Sequence, residues 1–199
     1  LVMPADHVVA QPEVFQQGVC HAARLAQDGA IVTFGITPDR PETGYGYIQA
    51  GATLNEDGAR AIARFVEKPD LATAEGYLQA GDYLWNSGLF VLRASVWLKA
   101  LERCRPDILA ACDVAWKNGT SDLSFLRVDA ESFAACPSDS IDYAVMERLT
   151  GAKAVAGLPP GVVVPLSAGW SDVGAWDALW RVLPKDDDGN VVQGRTLIQ

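Results

Sequence analysis

Ala30-Ile31-Val32-Thr33-Phe34-Gly35-Ile36 is an apolar run rich in β-branched residues. It lacks the strict alternation of a half-exposed strand, so it suits a strand covered on both faces. The residues before it read as a helix. That helix opens near Pro12, sets Phe15, Val19, Ala22, Ala23 and Ala26 on one face at helical spacing, and ends at Gly29. A helix feeding a doubly covered strand is the repeating unit of an α/β fold.

Working outward, the alternation continues. Thr37 to Gly44 is a loop dense in turn residues, and Tyr45 to Ala50 reads as extended. Asn55-Glu56-Asp57-Gly58 is a turn, and Ala61 to Val66 is a strand halted by Glu67-Lys68-Pro69. Asp70 is placed to cap a helix running to about Ala80. Leu89 to Leu92 reads as a strand after Trp85-Asn86-Ser87-Gly88, and helical segments dominate from Ser95 to Leu149 with breaks near Pro106, Gly119 and Pro137. Val162 to Leu166 is a further buried strand. A last helix, about Val173 to Leu183, carries Trp176, Leu179, Trp180 and Leu183 on one face, which reads as core-facing. The expected class is α/β, a mainly parallel sheet flanked by helices. Leu1-Val2-Met3 reads as the end of a buried strand, and Gly194 to Gln199 as a strand that stops mid-pattern, so both ends read as cut.

The chain has 199 residues, enough to bury roughly 70% of its unfolded surface. Hydrophobic residues make up 49% and charged residues 21%, which excludes wholesale disorder. Acidic residues outnumber basic ones, 25 to 16, for a net charge of −9. With no lysine- or arginine-rich stripe, a dedicated nucleic-acid partner is not expected. No apolar run approaches the ~20 residues that span a bilayer, so no membrane partner is expected either. Cys20, Cys104, Cys112 and Cys136 form no C-x-x-C pair, and His7 and His21 are the only histidines, which argues against structural zinc. Scattered cysteines in a chain with a sufficient core read as reduced thiols, with the cytoplasm as the expected compartment.

Ligands of open α/β sheets bind beyond the carboxyl ends of strands. Asp6, Glu67, Lys68, Asn86 and Asp172 lie next to strand ends. Two carboxylates there suit a hard divalent cation that also takes substrate phosphate oxygens. Lys68 is a compact positive charge for a phosphate, and Gly44-Tyr45-Gly46 allows close backbone approach. Each residue also has a plainer reading. Asp172 before a helix reads as an N-cap, Asp6 as a turn residue and Glu67-Lys68 as a solvated pair. Tyr45 reads as a strand edge and His7 as a structural hydrogen-bonder. From the residues alone the result is an α/β domain with a candidate magnesium-phosphate site.

Six segments in order carry a resemblance: Pro4-Ala5-Asp6-His7, Thr43-Gly44-Tyr45-Gly46-Tyr47-Ile48, Phe65-Val66-Glu67-Lys68-Pro69, Trp85-Asn86-Ser87-Gly88-Leu89-Phe90, Ser140-Ile141-Asp142-Tyr143 and Gly169-Trp170-Ser171-Asp172-Val173-Gly174. Together they resemble the bacterial mannose-1-phosphate guanylyltransferases, some of which continue into a mannose-6-phosphate isomerase domain. The resemblance implies a Rossmann-like nucleotidyltransferase fold over residues 1–184, here truncated at its N-terminus, with 185–199 starting a linker or C-terminal β region. It implies GTP and mannose 1-phosphate as substrates, GDP-mannose and pyrophosphate as products, and Mg as cofactor, in nucleotide-sugar and polysaccharide biosynthesis. A homo-oligomer stays open. It implies that Asp6 and Asp172 hold the metal and that Lys68 meets the sugar phosphate. It implies that Glu67 and Asn86 bond sugar hydroxyls and that Gly46 and Gly88 give backbone access. Tyr45 and Asp142 would line the sugar pocket, with Trp170 shaping it. The family's glycine-rich G-x-G-x-R loop and nearby lysine do not occur in these 199 residues. The expectation is therefore that this polypeptide alone does not turn over GTP. Two alternatives stand beside this reading: another sugar-1-phosphate nucleotidyltransferase, using glucose 1-phosphate with UTP or dTTP, and a non-catalytic sugar-nucleotide-binding homologue.

Overall fold

In the computed structural model, which describes residues 1–150, 154–192 and 194, the elements follow in this order. The first part holds β1 (Val8–Val9), α1 (Pro12–Gln27), β2 (Ile31–Ile36), β3 (Tyr47–Thr53), β4 (Arg60–Val66), α2 (Leu71–Ala80) and β5 (Tyr83–Val91). The middle holds α3 (Ala94–Cys104), α4 (Pro106–Lys117), β6 (Thr120–Asp122), β7 (Phe125–Arg127), α5 (Ala130–Ala134), α6 (Ile141–Ala144) and a 3₁₀ turn, Met146–Arg148. The chain then forms β8 (Gly161–Pro165), β9 (Trp170–Ser171) and α7 (Trp176–Val182).

The strand read first is covered as its composition requires. Ile31 packs with Ile48, Phe90, Val163, Ala100 and Leu101 on one face, whereas Val32 and Phe34 pack against Ala22 and Ala26 of α1 on the other. Burying Phe34 completely contributes roughly 1.5–3 kcal/mol. Pro12 opens α1, and Gly29, at φ 95°, turns the chain out of it. Asp70 caps α2 by accepting from the Thr73 N–H at 2.8 Å.

The α/β class holds, but the mainly parallel sheet does not. Five strands close on one another in the order β2-β5-β3-β4-β8. Among the described residues β2–β8 is the only parallel pair. The pairs β2–β5, β3–β4, β3–β5 and β4–β8 are antiparallel. A doubly covered strand reads as apolar whichever way its neighbours run, so composition does not report direction.

Other expectations need correction. The strand expected from Leu89 begins at Tyr83 and runs through Trp85-Asn86-Ser87-Gly88. Its register against β2 jumps between Asn86 and Phe90, so these residues form a bulge inside the strand, with Gly88 at φ 70°. The stretch read as helical to Leu149 contains the β6–β7 hairpin. Leu1, Val2 and Met3 are exposed, with Val2 bridging to Phe90. Trp176 is 87% exposed rather than core, and Trp180 donates its indole N–H to the Gly189 carbonyl at 3.0 Å. The strand expected over 194–199 lies outside the described residues apart from Gly194. No helix among the described residues is long and apolar enough to cross a membrane.

Candidate functional site

The β1–β9 ladder pairs Val8 with Ser171 and Val9 with Trp170. Continued outward, that register brings Asp6 and His7 to the same end of the ladder as Asp172. Trp170 donates its indole N–H to His7 Nδ1 at 3.2 Å, with the rings edge to face at 5.4 Å. The Tyr45 ring stands edge-on to both Trp170, at 5.6 Å, and Trp85, at 5.2 Å. Its hydroxyl donates to Asp172 Oδ1 at 2.7 Å, and the Gly174 N–H donates to the same oxygen at 3.2 Å. Burial, reinforced by Asp172, pushes the Tyr45 hydroxyl above its ordinary range. Tyr45 is therefore a permanent donor that orients Asp172. A cleft of about 260 Å³ opens between Arg40, Tyr45, Asp172 and Arg181.

The second group surrounds Gly46. The bulge of β5 turns Asn86 so that its Oδ1 accepts from Thr33 Oγ1 at 3.1 Å and from the Gly88 N–H at 3.3 Å. Its Nδ2 donates to Asp142 Oδ1 at 3.0 Å. Asp142 rides on α6, whose first turn is capped by the Ser140 hydroxyl accepting from the Tyr143 N–H. The Glu67 side chain is 9% exposed and sits 3.5 Å from the Lys68 ammonium, which is 57% exposed. Its Oε2 is buried with no hydrogen-bond partner among the described residues. A Cβ at position 46 would lie 2.4 Å from that oxygen and 3.2 Å from Asn86 Cβ. A glycine just before β3 lets the backbone come this close without displacing the Glu67 carboxylate. Burial, then the neighbouring Asp142, raises the Glu67 carboxyl. Burial also raises Asp142, against the pull of the Asn86 hydrogen bond.

The two groups are continuous. Tyr45 and Gly46 are neighbours in sequence, and His7 Cε1 lies 3.9 Å from where a Gly88 Cβ would stand. Backbone strain clusters here as well. Lys68 at φ 46° and Val173 at φ 52° hold left-handed conformations that cost non-glycine residues about 1–3 kcal/mol each.

Sequence reasoning nominated these residues but missed three neighbours. Arg40 lies 4.8 Å from the Trp85 ring centroid and pairs with Asp39 at 2.7 Å and Glu42 at 3.3 Å. Glu147 Oε1 accepts from the Glu67 N–H at 3.4 Å. Thr33, fully buried, orients the Asn86 amide. Its signal was available: a hydroxyl in an otherwise apolar strand. Arg40, in a polar loop, and Glu147, followed by Arg148 after an apolar run, gave none.

Glu67 and Asp142 offer acceptors, while the Asn86 amide and the Lys68 ammonium offer donors. This set suits a polyhydroxylated ligand that carries a phosphate. Asp6 is exposed, and no described hydrogen bond engages Asp172 Oδ2. No cluster of three or more His, Cys, Asp or Glu among the described residues is set to cage a metal. Two carboxylates with open surroundings fit magnesium, which keeps waters and takes phosphate oxygens, better than they fit an ion held by protein alone.

Comparison with known proteins gives the family. The nucleotidyl transferase family matches residues 1–189. The chain is 53% identical over 194 residues to the xanthan biosynthesis protein XanB of Xanthomonas campestris pv. campestris (strain B100), covering 98% of the chain and 39% of that protein. It is 48% identical over 202 residues to a mannose-1-phosphate guanylyltransferase of Salmonella montevideo, covering 99% and 41% respectively. Among solved structures, a Thermus thermophilus protein described as a mannose-1-phosphate geranyltransferase superposes with a TM-score of 0.74 at 34% identity, over 93% of this chain and 49% of that one. The chain thus spans about two fifths of the length of the curated relatives it matches. The family match and these relatives together show that the chain belongs to the nucleotidyl transferase family.

Proposed function

We propose that the chain forms the sugar-phosphate-binding part of a mannose-1-phosphate guanylyltransferase. Such an enzyme transfers GMP from GTP to mannose 1-phosphate, giving GDP-mannose and pyrophosphate for polysaccharide synthesis. The sugar phosphate oxygen attacks the α-phosphorus of GTP, and the bond to the departing pyrophosphate breaks. Little proton transfer is needed, so positioning and charge neutralisation carry the rate. Lys68 meets the phosphate as a point charge. Glu67 and Asn86 hold sugar hydroxyls, with Asp142 orienting the Asn86 amide. Gly46 and Gly88 admit the ligand to the backbone, and Trp170 walls the pocket. Asp6 and Asp172 are the residues for magnesium, which when bound neutralises phosphate charge. Four free thiols support a cytoplasmic setting.

The carrying observation is the buried, unpartnered Glu67 Oε2 beside Asn86. A buried carboxylate oxygen without a partner costs about 1–3 kcal/mol, and a ligand hydroxyl would relieve that cost. Calorimetric titration with mannose 1-phosphate and glucose 1-phosphate, with and without magnesium, tests the reading. Tighter binding of the mannose compound, lost in Glu67→Gln and Asn86→Ala, supports it. Equal affinity for both sugars, or variants that bind like the parent chain, overturns it.

A further inference from the structure

Cys112 lies on α4 and Cys136 follows α5, 24 residues later, yet their Sγ atoms are 4.0 Å apart. Among the described residues no other pair of sulfurs is in contact: Cys104 is buried and Cys20 stands exposed on α1. A disulfide requires a separation of about 2.05 Å, so the sulfurs must approach by about 2 Å. The surroundings of Cys136 can yield that distance. α5 buries none of its residues, and Ala134, Ala135 and Pro137 are exposed. The α4 side is firm. Ala115 is fully buried, and its carbonyl accepts from the Asp129 N–H at 2.9 Å, which holds the two segments together.

We propose that Cys112 and Cys136 are a dithiol that a peroxide closes to an intrachain disulfide, bracing the segment that carries Asp142. The proposal does not depend on the reaction assigned above. The Cys136 thiolate attacks one peroxide oxygen; an S–O bond forms, the O–O bond breaks, and hydroxide leaves and is protonated to water. The Cys112 thiolate then attacks the sulfenic sulfur; the S–S bond forms, the S–O bond breaks, and hydroxide leaves and is protonated to a second water, the two protons being those the thiols released. Two thiols are oxidised by two electrons and one peroxide is reduced. Cys136 is the first attacker because it follows a helix that buries none of its residues and stands between exposed Ala135 and Pro137, where a peroxide can reach it.

The bond would act on the candidate site through a short path. Three residues after Cys136, Asp139 pairs with Arg105, whose guanidinium is also held by Asp107 at 2.9 Å. Ser140 then caps α6, and Asp142 bonds Asn86 at 3.0 Å. The disulfide would add a covalent anchor just upstream of that cap.

The test uses the full chain treated with hydrogen peroxide in the absence of reductant. The expected result is loss of two of the four thiols, a mass lower by two hydrogens, and a peptide linking Cys112 to Cys136, all reversed by dithiothreitol. Amide exchange over residues 140–144 should slow in the oxidised chain. Cys112→Ser should form no cross-link and instead leave a sulfenic acid at Cys136 that dimedone traps. If that variant does not fold, Cys136→Ser, changed on the exposed side, should form no cross-link at the same dose. Cross-links through Cys20 or between chains would overturn the proposal. So would oxidation of both cysteines without linkage, or unchanged exchange over 140–144 in the linked chain.

Discussion

Gly46→Ala separates a ligand-binding reading of the site from a structural one. The new methyl would stand 2.4 Å from Glu67 Oε2, whereas ordinary contact begins near 3.4 Å. The carboxylate oxygen must therefore retreat by about 1 Å. Overpacking costs roughly 1–3 kcal/mol. The low end applies here, because the displaced atom is the end of a side chain that can rotate, although Asn86 Cβ at 3.2 Å adds crowding. For a chain of this size about 1 kcal/mol lowers the melting temperature by about 2–4 °C. The expected effect on binding is larger. A hydrogen bond from a ligand hydroxyl to a carboxylate contributes about 1.5–3 kcal/mol, so displacing Glu67 weakens sugar-phosphate binding by roughly 10- to 150-fold. Gly119→Ala is the matched control. Its methyl would meet the backbone carbonyl of Arg127 at 2.8 Å, on the hairpin side of the fold. That oxygen cannot rotate away, so Gly119→Ala should lose at least as much stability and leave affinity unchanged. Melting curves and calorimetry with mannose 1-phosphate on both variants decide the matter. Unchanged affinity in Gly46→Ala, or equal loss in Gly119→Ala, refutes the reasoning.

Tyr45→Phe keeps the ring contacts with Trp85 and Trp170 but removes the 2.7 Å bond to Asp172. The magnesium concentration needed for half-maximal GDP-mannose binding should rise about tenfold with little change in melting temperature, as read by metal titration. Thr33→Val removes a fully buried donor shared between Asn86 Oδ1 and the Leu89 carbonyl. It should cost about 1–2 kcal/mol in urea unfolding and weaken sugar-phosphate binding by releasing the Asn86 amide. Glu67 and Asp142 are both raised by burial, so the folded state holds their protons at a pH where the unfolded state has released them. Their contribution to stability therefore falls as pH rises from the ordinary carboxylate range through the raised values, and is flat above. Stability of the parent chain minus that of Asp142→Asn, followed across this range, should show that negative slope, and a flat difference would contradict it.

The parts of the fold that are visible in the sequence are those set by local chemistry. Pro12 and Gly29 bound α1, Asp70 caps α2, and the apolar run from Ile31 to Ile36 needs cover on both faces, whatever its partners. Strand direction escapes this logic, because an antiparallel β5 and a parallel β8 both bury β2 equally well. The bulge at Ser87–Gly88 escapes for a related reason: a glycine within a strand pattern marks a strand end and a bulge alike. Trp176 misleads because helical spacing defines a face without saying whether anything covers it.

The site divides along the same line. Its residue types are legible as polar groups next to strand ends, Glu67 and Lys68 after one strand and Asn86 ahead of another, and their roles only through the resemblance. Its wiring is not legible, since the Tyr45–Asp172 bond joins residues 127 apart and the Thr33–Asn86 bond joins residues 53 apart. That wiring is what distinguishes a site from a set of polar residues. Thr33 and the Gly88 N–H both occupy Asn86 Oδ1, so the amide is locked with its donors turned toward Asp142. Tyr45 and the Gly174 N–H both hold Oδ1 of Asp172, and no described hydrogen bond engages Oδ2. A surface network has no need to fix which atom of each polar group faces outward. Two carboxyls raised by burial and two strained residues, Lys68 and Val173, lower the stability of this fold. Their grouping beside Gly46 and Asp172 is intelligible if the ligand, rather than the folded chain alone, completes these contacts.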